Sequence, residues 1–190
     1  MLENPASQAH QWTLEIVPAH AERVKAFEGL VREVFITMIP GADNREILDS
    51  LEKVQSRGFH PVPHIAARNF QSEEDLQYFL DGIRDHGVQK VLVLAGGLSD
   101  PMGPFSDSMP ILRSDAFLNS GVQVVGLAGH PEGNPVDPDS RVNLQKKWRY
   151  LQQLGLGMEI VTQWSFSPDK VSGYLQSLKD EGIPIPVRVG

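Results

Sequence analysis

Residues 72–95 read Ser72-Glu-Glu-Asp75-Leu76-Gln-Tyr-Phe79-Leu80-Asp-Gly-Ile83-Arg-Asp-His-Gly87-Val-Gln-Lys90-Val-Leu-Val-Leu-Ala95. Leu76, Phe79, Leu80 and Ile83 recur at the three- and four-residue spacing that puts apolar side chains on one face of a helix. Ser72 followed three residues later by Asp75 has the form of a capping box, and Gly87 stands where such a helix stops. The next run, 90–95, is continuous in Val and Leu rather than alternating. Strands covered on both faces, as in parallel sheets, read in this way.

The same unit recurs in both directions. Apolar runs occupy 13–17, 34–39, 60–66, 90–95, 122–128, 159–164 and 183–189. Their starts fall about every 28 residues, enough for a strand and a crossover helix. Three other segments show a helical face: Val24, Phe27, Leu30 and Val31; Ile47, Leu48, Leu51 and Val54; Val171, Tyr174, Leu175 and Leu178. Gly58, Gly155 and Gly182 punctuate them as Gly87 does, and Ser167-Pro168 reads as an N-cap with Pro at the first helical position. The expectation is α/β, a (β/α)8 TIM-barrel-like fold with seven strands visible and the eighth unit missing. An open doubly wound sheet competes, but the first βα turn, Pro18-Ala19-His20, has no G-x-G-x-x-G.

Composition narrows the functional classes. The chain has 190 residues, 41% of them apolar and 22% charged, with a formal charge of −7 and no cysteine. Those values suit one globular domain over 1–190, with 1–11 as a flexible N-terminal segment. Thiolate zinc sites, cysteine nucleophiles and disulfides are excluded. The charge argues against nucleic acid, since Lys146-Lys147-Trp148-Arg149 is a short helical run with no basic face around it. No apolar run is long enough to span a bilayer and no secretory signal is visible, so the expected location is the cytoplasm.

In parallel α/β folds the chemistry gathers at the C-terminal ends of the strands. Glu15 lies within Leu14-Glu15-Ile16-Val17-Pro18, where a carboxylate must be paired, protonated or functional. His64 lies in Pro63-His64-Ile65-Ala66, and Arg68 follows it as a candidate phosphate donor. The fourth strand runs into Ala95-Gly96-Gly97, where backbone approaches a ligand closely or simply turns. The densest polar cluster is Gly129-His130-Pro131-Glu132-Gly133-Asn134-Pro135, too poor in ligands for a metal but suited to a cofactor. Gln163, in a buried strand, has an amide to satisfy, and Trp164 and Phe166 supply aromatic surface beside it.

Taken in order, these elements resemble the methylenetetrahydrofolate reductase family, flavin-dependent barrels of one-carbon metabolism. The Leu14–Pro18 strand with its Glu, the Pro63-His64 strand, the Gly-His-Pro-Glu-Gly-Asn-Pro loop, the Lys146-Lys147 helix and the Val161-Thr162-Gln163-Trp164 strand carry the resemblance, which covers residues 14–190. It implies FAD as cofactor, NADH or NADPH as electron donor, and reduction of methylenetetrahydrofolate to methyltetrahydrofolate. It also implies Glu15 as the acid, Gln163 and Trp164 on the folate, and His64, Ala95, Gly96, Gly97, His130, Glu132, Asn134 and Lys147 on the flavin. The family's Arg-Gly-Asp is Ala95-Gly96-Gly97 here. A barrel acting on another one-carbon substrate, a non-catalytic binding subunit, and an open α/β protein taking a phosphorylated ligand at Gly96-Gly97 are the competing readings. A homo-oligomer is compatible with all of them.

Overall fold

The computed structural model describes residues 12–190, so the reading of 1–11 lies outside the described residues. The chain divides into two compact units, one ending at Val122 and one spanning Gln123–Gly190. The N-terminal unit holds β1 (Trp12–Ile16), β2 (Val31–Ile36), α1 (Asn44–Gln55), β3 (His60–Ala66), α2 (Glu73–Asp85), β4 (Lys90–Leu94) and the short helices α3 (Ser108–Arg113) and α4 (Asp115–Leu118). Its strands are parallel and neighbour one another in chain order. The C-terminal unit holds β5 (Val124–Gly129), α5 (Ser140–Gln153), β6 (Gly157–Thr162), α6 (Pro168–Asp180) and β7 (Val187–Arg188), again parallel and in chain order. Within each unit the order never reverses, as in a singly wound barrel and unlike the switch point of a doubly wound sheet. The protein is therefore α/β and compatible with a partial TIM-like fold. No helix among the described residues is long and apolar enough to cross a membrane.

The helix signals hold. Ser72 Oγ accepts from the Asp75 backbone N–H at 3.2 Å, and the Asp75 carboxylate reaches back to the Gln71 N–H at 3.1 Å. Leu76, Phe79, Leu80 and Ile83 are buried, as are Ile47, Leu48, Leu51 and Val54 of α1. Each of the four main helices ends in the same way. The apolar residue after the glycine donates its N–H back into the last turn: Phe59 to Val54, Val88 to Ile83, Leu156 to Leu151 and Ile183 to Leu178. These are Schellman closures, and Gly58, Gly87, Gly155 and Gly182 supply the positive φ they require.

Several boundaries differ from the sequence expectation, among them β2, which runs Val31–Ile36 instead of 34–39. Residues 18–27 form a 3-10 helix, not an α-helix. Ala21 and Val24 are buried, Phe27 and Leu30 are exposed, and Val31 opens β2. Val122 is buried but precedes β5, which begins at Val124. The sixth strand stops at Thr162, two residues short of Trp164. The seventh is only Val187–Arg188, because Ile183 belongs to the closure of α6 and Pro184 and Pro186 have no N–H to donate. On α6 only Leu178 is fully buried; Val171, Tyr174 and Leu175 are half-buried.

β3 tolerates two prolines in an interior strand. The Ala66 N–H donates to Met38 Sδ, just past β2, so the N–H groups of even-numbered residues face β2. Pro61 and Pro63 then withhold donors on the β4 side, where the ladder begins only at His64.

Candidate functional site

In the N-terminal unit, Glu15 pairs in register with Phe35, and Phe35 with Val62, so alternation puts Glu15, Phe35 and His64 on one face of the sheet. The His64 ring stands edge-on to Phe35, with centroids 6.2 Å apart. His64 Nε2 lies 3.7 Å from Glu15 Oε2. His64 is buried, and that burial lowers its pKa to about 4. The imidazole is therefore neutral at pH 7, and the contact is not an ion pair. Glu15 is more exposed than a buried strand implies, with 60% of its side chain accessible, yet partial burial still raises its pKa. Farther along the same face, Lys90 Nζ binds both Glu33 carboxylate oxygens at 3.0 Å.

Three buried polar atoms near the C-terminal ends of β2 and β3 have no hydrogen-bond partner: Thr37 Oγ1, His64 Nε2 and Asn69 Oδ1. Asn69 donates its amide to Ile39 O at 2.9 Å, so only its oxygen is left over. Gly96, with φ +97°, lies against the same place. A Cβ there would stand 3.2 Å from Ala66 Cβ and 3.5 Å from Asn69 Oδ1. Gly97 is open and exposed.

Arg68 has a different role from the phosphate donor expected of it. Its guanidinium donates to Ser106 O and Leu98 O, each at 2.8 Å, while its backbone ties Ala95 O and the Met102 N–H. This side chain fastens the loop after β4, which contains Pro101, Gly103 and Pro104 and forms no helix of its own.

In the C-terminal unit, His130 follows β5, and Asn134 Nδ2 lies 3.4 Å from its Nε2. Burial, and then the charge of Lys147, lower the His130 pKa, with Asp137 opposing. Glu132 is committed within the protein. Its Oε1 accepts from Ser165 Oγ at 2.7 Å, and Lys170 Nζ lies 3.7 Å from its Oε2. The Ser165 bond holds the Glu132 pKa down. Glu132 thus ties the loop after β5 to the loop after β6 instead of offering a free carboxylate.

Gln163 and Trp164 lie beyond the end of β6, not inside a buried strand. The Gln163 N–H donates to Gly129 O at 2.8 Å, which leaves its side chain exposed. Trp164 and Phe166 are 72% and 87% exposed and stack on each other, with centroids 5.3 Å apart and planes at 29°. They contribute no core and leave aromatic surface beside Gln163.

A cavity of about 680 Å³ opens beside His130 and Asn134, with Arg141, Tyr174, Ser177 and Glu181 on its other walls. Arg141 Nε binds both Glu181 oxygens, its Nη2 reaches Ser177 Oγ at 3.0 Å, and its guanidinium covers the Tyr174 ring at 4.9 Å. Burial raises the Tyr174 pKa.

The pairs Glu15/His64, His130/Asn134 and His130/Lys147 are thus brought together. Thr37, Asn69, Ser165 and the Arg141–Tyr174–Glu181 group escaped the sequence reading. Thr37 is the first residue past β2, whereas the apolar run to 39 puts it inside a strand. The Arg141 group has no local signal, because its members sit on two helices. No protein-family model matches the chain.

Proposed function

We propose that this chain is a flavin-dependent oxidoreductase of the kind it resembles, reducing methylenetetrahydrofolate to methyltetrahydrofolate with NADH or NADPH as electron donor. The observation that carries the reading is the Glu15 carboxyl, half-exposed at the C-terminal end of β1, raised in pKa and facing a neutral, buried histidine. Opening a bridging methylene to an iminium requires a proton at nitrogen, and a carboxyl whose pKa is raised by burial keeps its proton to higher pH than a solvated one.

The residues present suit an isoalloxazine ring, whose edge carries both donors and acceptors. Thr37 Oγ1 and Asn69 Oδ1 are buried atoms that lack such partners, and Gly96 keeps the neighbouring backbone uncovered. When bound, FAD supplies the hydride chemistry. By the resemblance, the flavin contacts of the N-terminal unit are His64 and Ala95-Gly96-Gly97, and those of the C-terminal unit are His130, Asn134 and Lys147. Gln163 would bond the edge of the pterin, and Trp164 would offer it a face. Glu132 supports this reading as a fastener of the Trp164 loop rather than as a ligand.

A second reading rests on Ala95-Gly96-Gly97, where the family has Arg-Gly-Asp. With neither charge present, a barrel of the same kind acting on another one-carbon substrate fits equally.

The visible spectrum of the purified protein with FAD tests the proposal. Flavin bands that bleach on adding NADH or NADPH are expected. In that protein Glu15→Gln is expected to keep the bands and slow folate reduction by ~10²-fold. A protein that takes up no FAD overturns the reading. Flavin bleaching without folate turnover moves it to the second substrate class.

A further inference from the structure

We propose that His64 is a positioning residue that shares one proton with Glu15 and thereby sets the protonation state of that carboxyl. The inference rests on Glu15 being the acid of the proposed reaction. His64 Nε2 is buried, has no hydrogen-bond partner, and lies 3.7 Å from Glu15 Oε2. A hydrogen bond between these atoms needs about 2.8 Å. The glutamate side chain is 60% exposed and can close that gap by a small rotation, whereas the imidazole is held by the edge contact with Phe35 and by a strand paired on both sides.

A neutral imidazole has one donor and one acceptor nitrogen, and either may be Nε2. With Glu15 protonated, its O–H donates to Nε2 and the ring proton sits on Nδ1. With Glu15 ionised, exchange with water removes the proton from Nδ1 and places one on Nε2, which donates to the carboxylate. The pair satisfies its buried nitrogen in both states, and its total charge changes by one proton. When Glu15 passes its proton to a substrate nitrogen, the carboxylate left behind meets an N–H instead of a lone pair. Solvent at the exposed side of Glu15 then returns the proton.

The burial that holds the His64 pKa to about 4 keeps the imidazole from charging during this cycle. The charged groups facing the pair from β2 and β4 in this unit are Glu33 and Lys90, which are bound to one another. β3 contributes no other titratable group on that face near His64, since His60 accepts from Arg32 Nε at the opposite end of the strand. The two groups therefore titrate as a unit.

The test is NMR of the full chain, following His64 ring ¹⁵N and Glu15 carboxyl ¹³C signals against pH. The expected result is a step in the His64 Nε2 signal with the same midpoint as the Glu15 carboxyl, while the ring remains neutral. In Glu15→Gln, a change at an exposed side chain, that step is expected to vanish. A His64 signal that is flat through the Glu15 titration, or that moves at an ordinary histidine midpoint in both proteins, overturns the proposal. The two claims separate cleanly. Coupled titration in a protein that binds no FAD supports the shared proton and rejects the function. A flavoprotein with a flat His64 signal rejects the shared proton alone.

Discussion

Gly103 and Gly173 are both glycines without positive φ, and their surroundings give substitution opposite signs. A Cβ on Gly103 would stand 2.3 Å from Gln71 O and 2.6 Å from Phe70 O, which are backbone atoms that cannot rotate away. Gly103→Ala is expected to cost about 1–3 kcal/mol, the usual range for overpacking. Gly173, within α6, has nothing inside 4 Å of the same position. Gly173→Ala is expected to gain ~0.5–1 kcal/mol from helix propensity. Chemical denaturation of the two variants checks both signs. The sequence shows a Pro/Gly-rich loop after β4 but not which glycine is indispensable. That depends on the Gln71 carbonyl, which Arg68 brings close by fastening the loop at Leu98 and Ser106.

At the scale of the element, α2 is the clearest local structure in the chain. Its cap, apolar face and glycine stop are all written within residues 72–88, and all three form as read. Ser72→Ala is expected to cost about 1 kcal/mol, since it leaves the Asp75 N–H without its acceptor. Ser72→Asp is expected to restore most of that loss, and thermal denaturation separates the two variants. The strands were less legible at their ends. An aromatic residue near a strand end extends the apparent run, as Trp164 does two residues past Thr162. The last bond to β5 runs from the Gln163 N–H to Gly129 O, and the Gln163 and Trp164 side chains stand on an exposed rim. The 3-10 helix after β1 was misread for a related reason. Val24, Phe27 and Leu30 fit a period of three as well as a period of 3.6 over so short a span.

For the whole molecule, the buried neutral histidine makes stability depend on pH. His64 has its ordinary pKa of 6.5 when unfolded and one of about 4 when folded, so its folded pKa is depressed. Its contribution is full above pH 6.5 and is lost as pH falls toward 4, because only the unfolded chain takes up the proton. Between pH 7 and 5 the native state should lose about 2 kcal/mol from this group. His130, also lowered, adds in the same direction. Glu15, raised in the folded state, acts in the opposite direction, and its exposure to solvent keeps that offset small. Urea denaturation at pH 7 and 5 should show a smaller loss for His64→Gln than for the parent chain. An equal loss in both would assign the acid sensitivity to other groups.

What the sequence determined by itself is local. The repeated apolar run and amphipathic segment, the caps and the glycine stops each depend on residues within a few positions of one another, and they suffice for an α/β chain of parallel strands. Polar residues at strand ends were also legible as candidates, among them Glu15, His64 and His130. The tertiary structure decided what each of them meets. Glu15 and His64 lie on strands separated by a whole strand-helix unit, and only the register of β1, β2 and β3 brings their atoms to 3.7 Å. Arg68 and Glu132 look like ligand-binding charges in the sequence, yet the fold spends the first on loop carbonyls and the second on Ser165. A side chain's chemistry follows from its type, but its partner follows from distances that exist only after the chain has closed on itself.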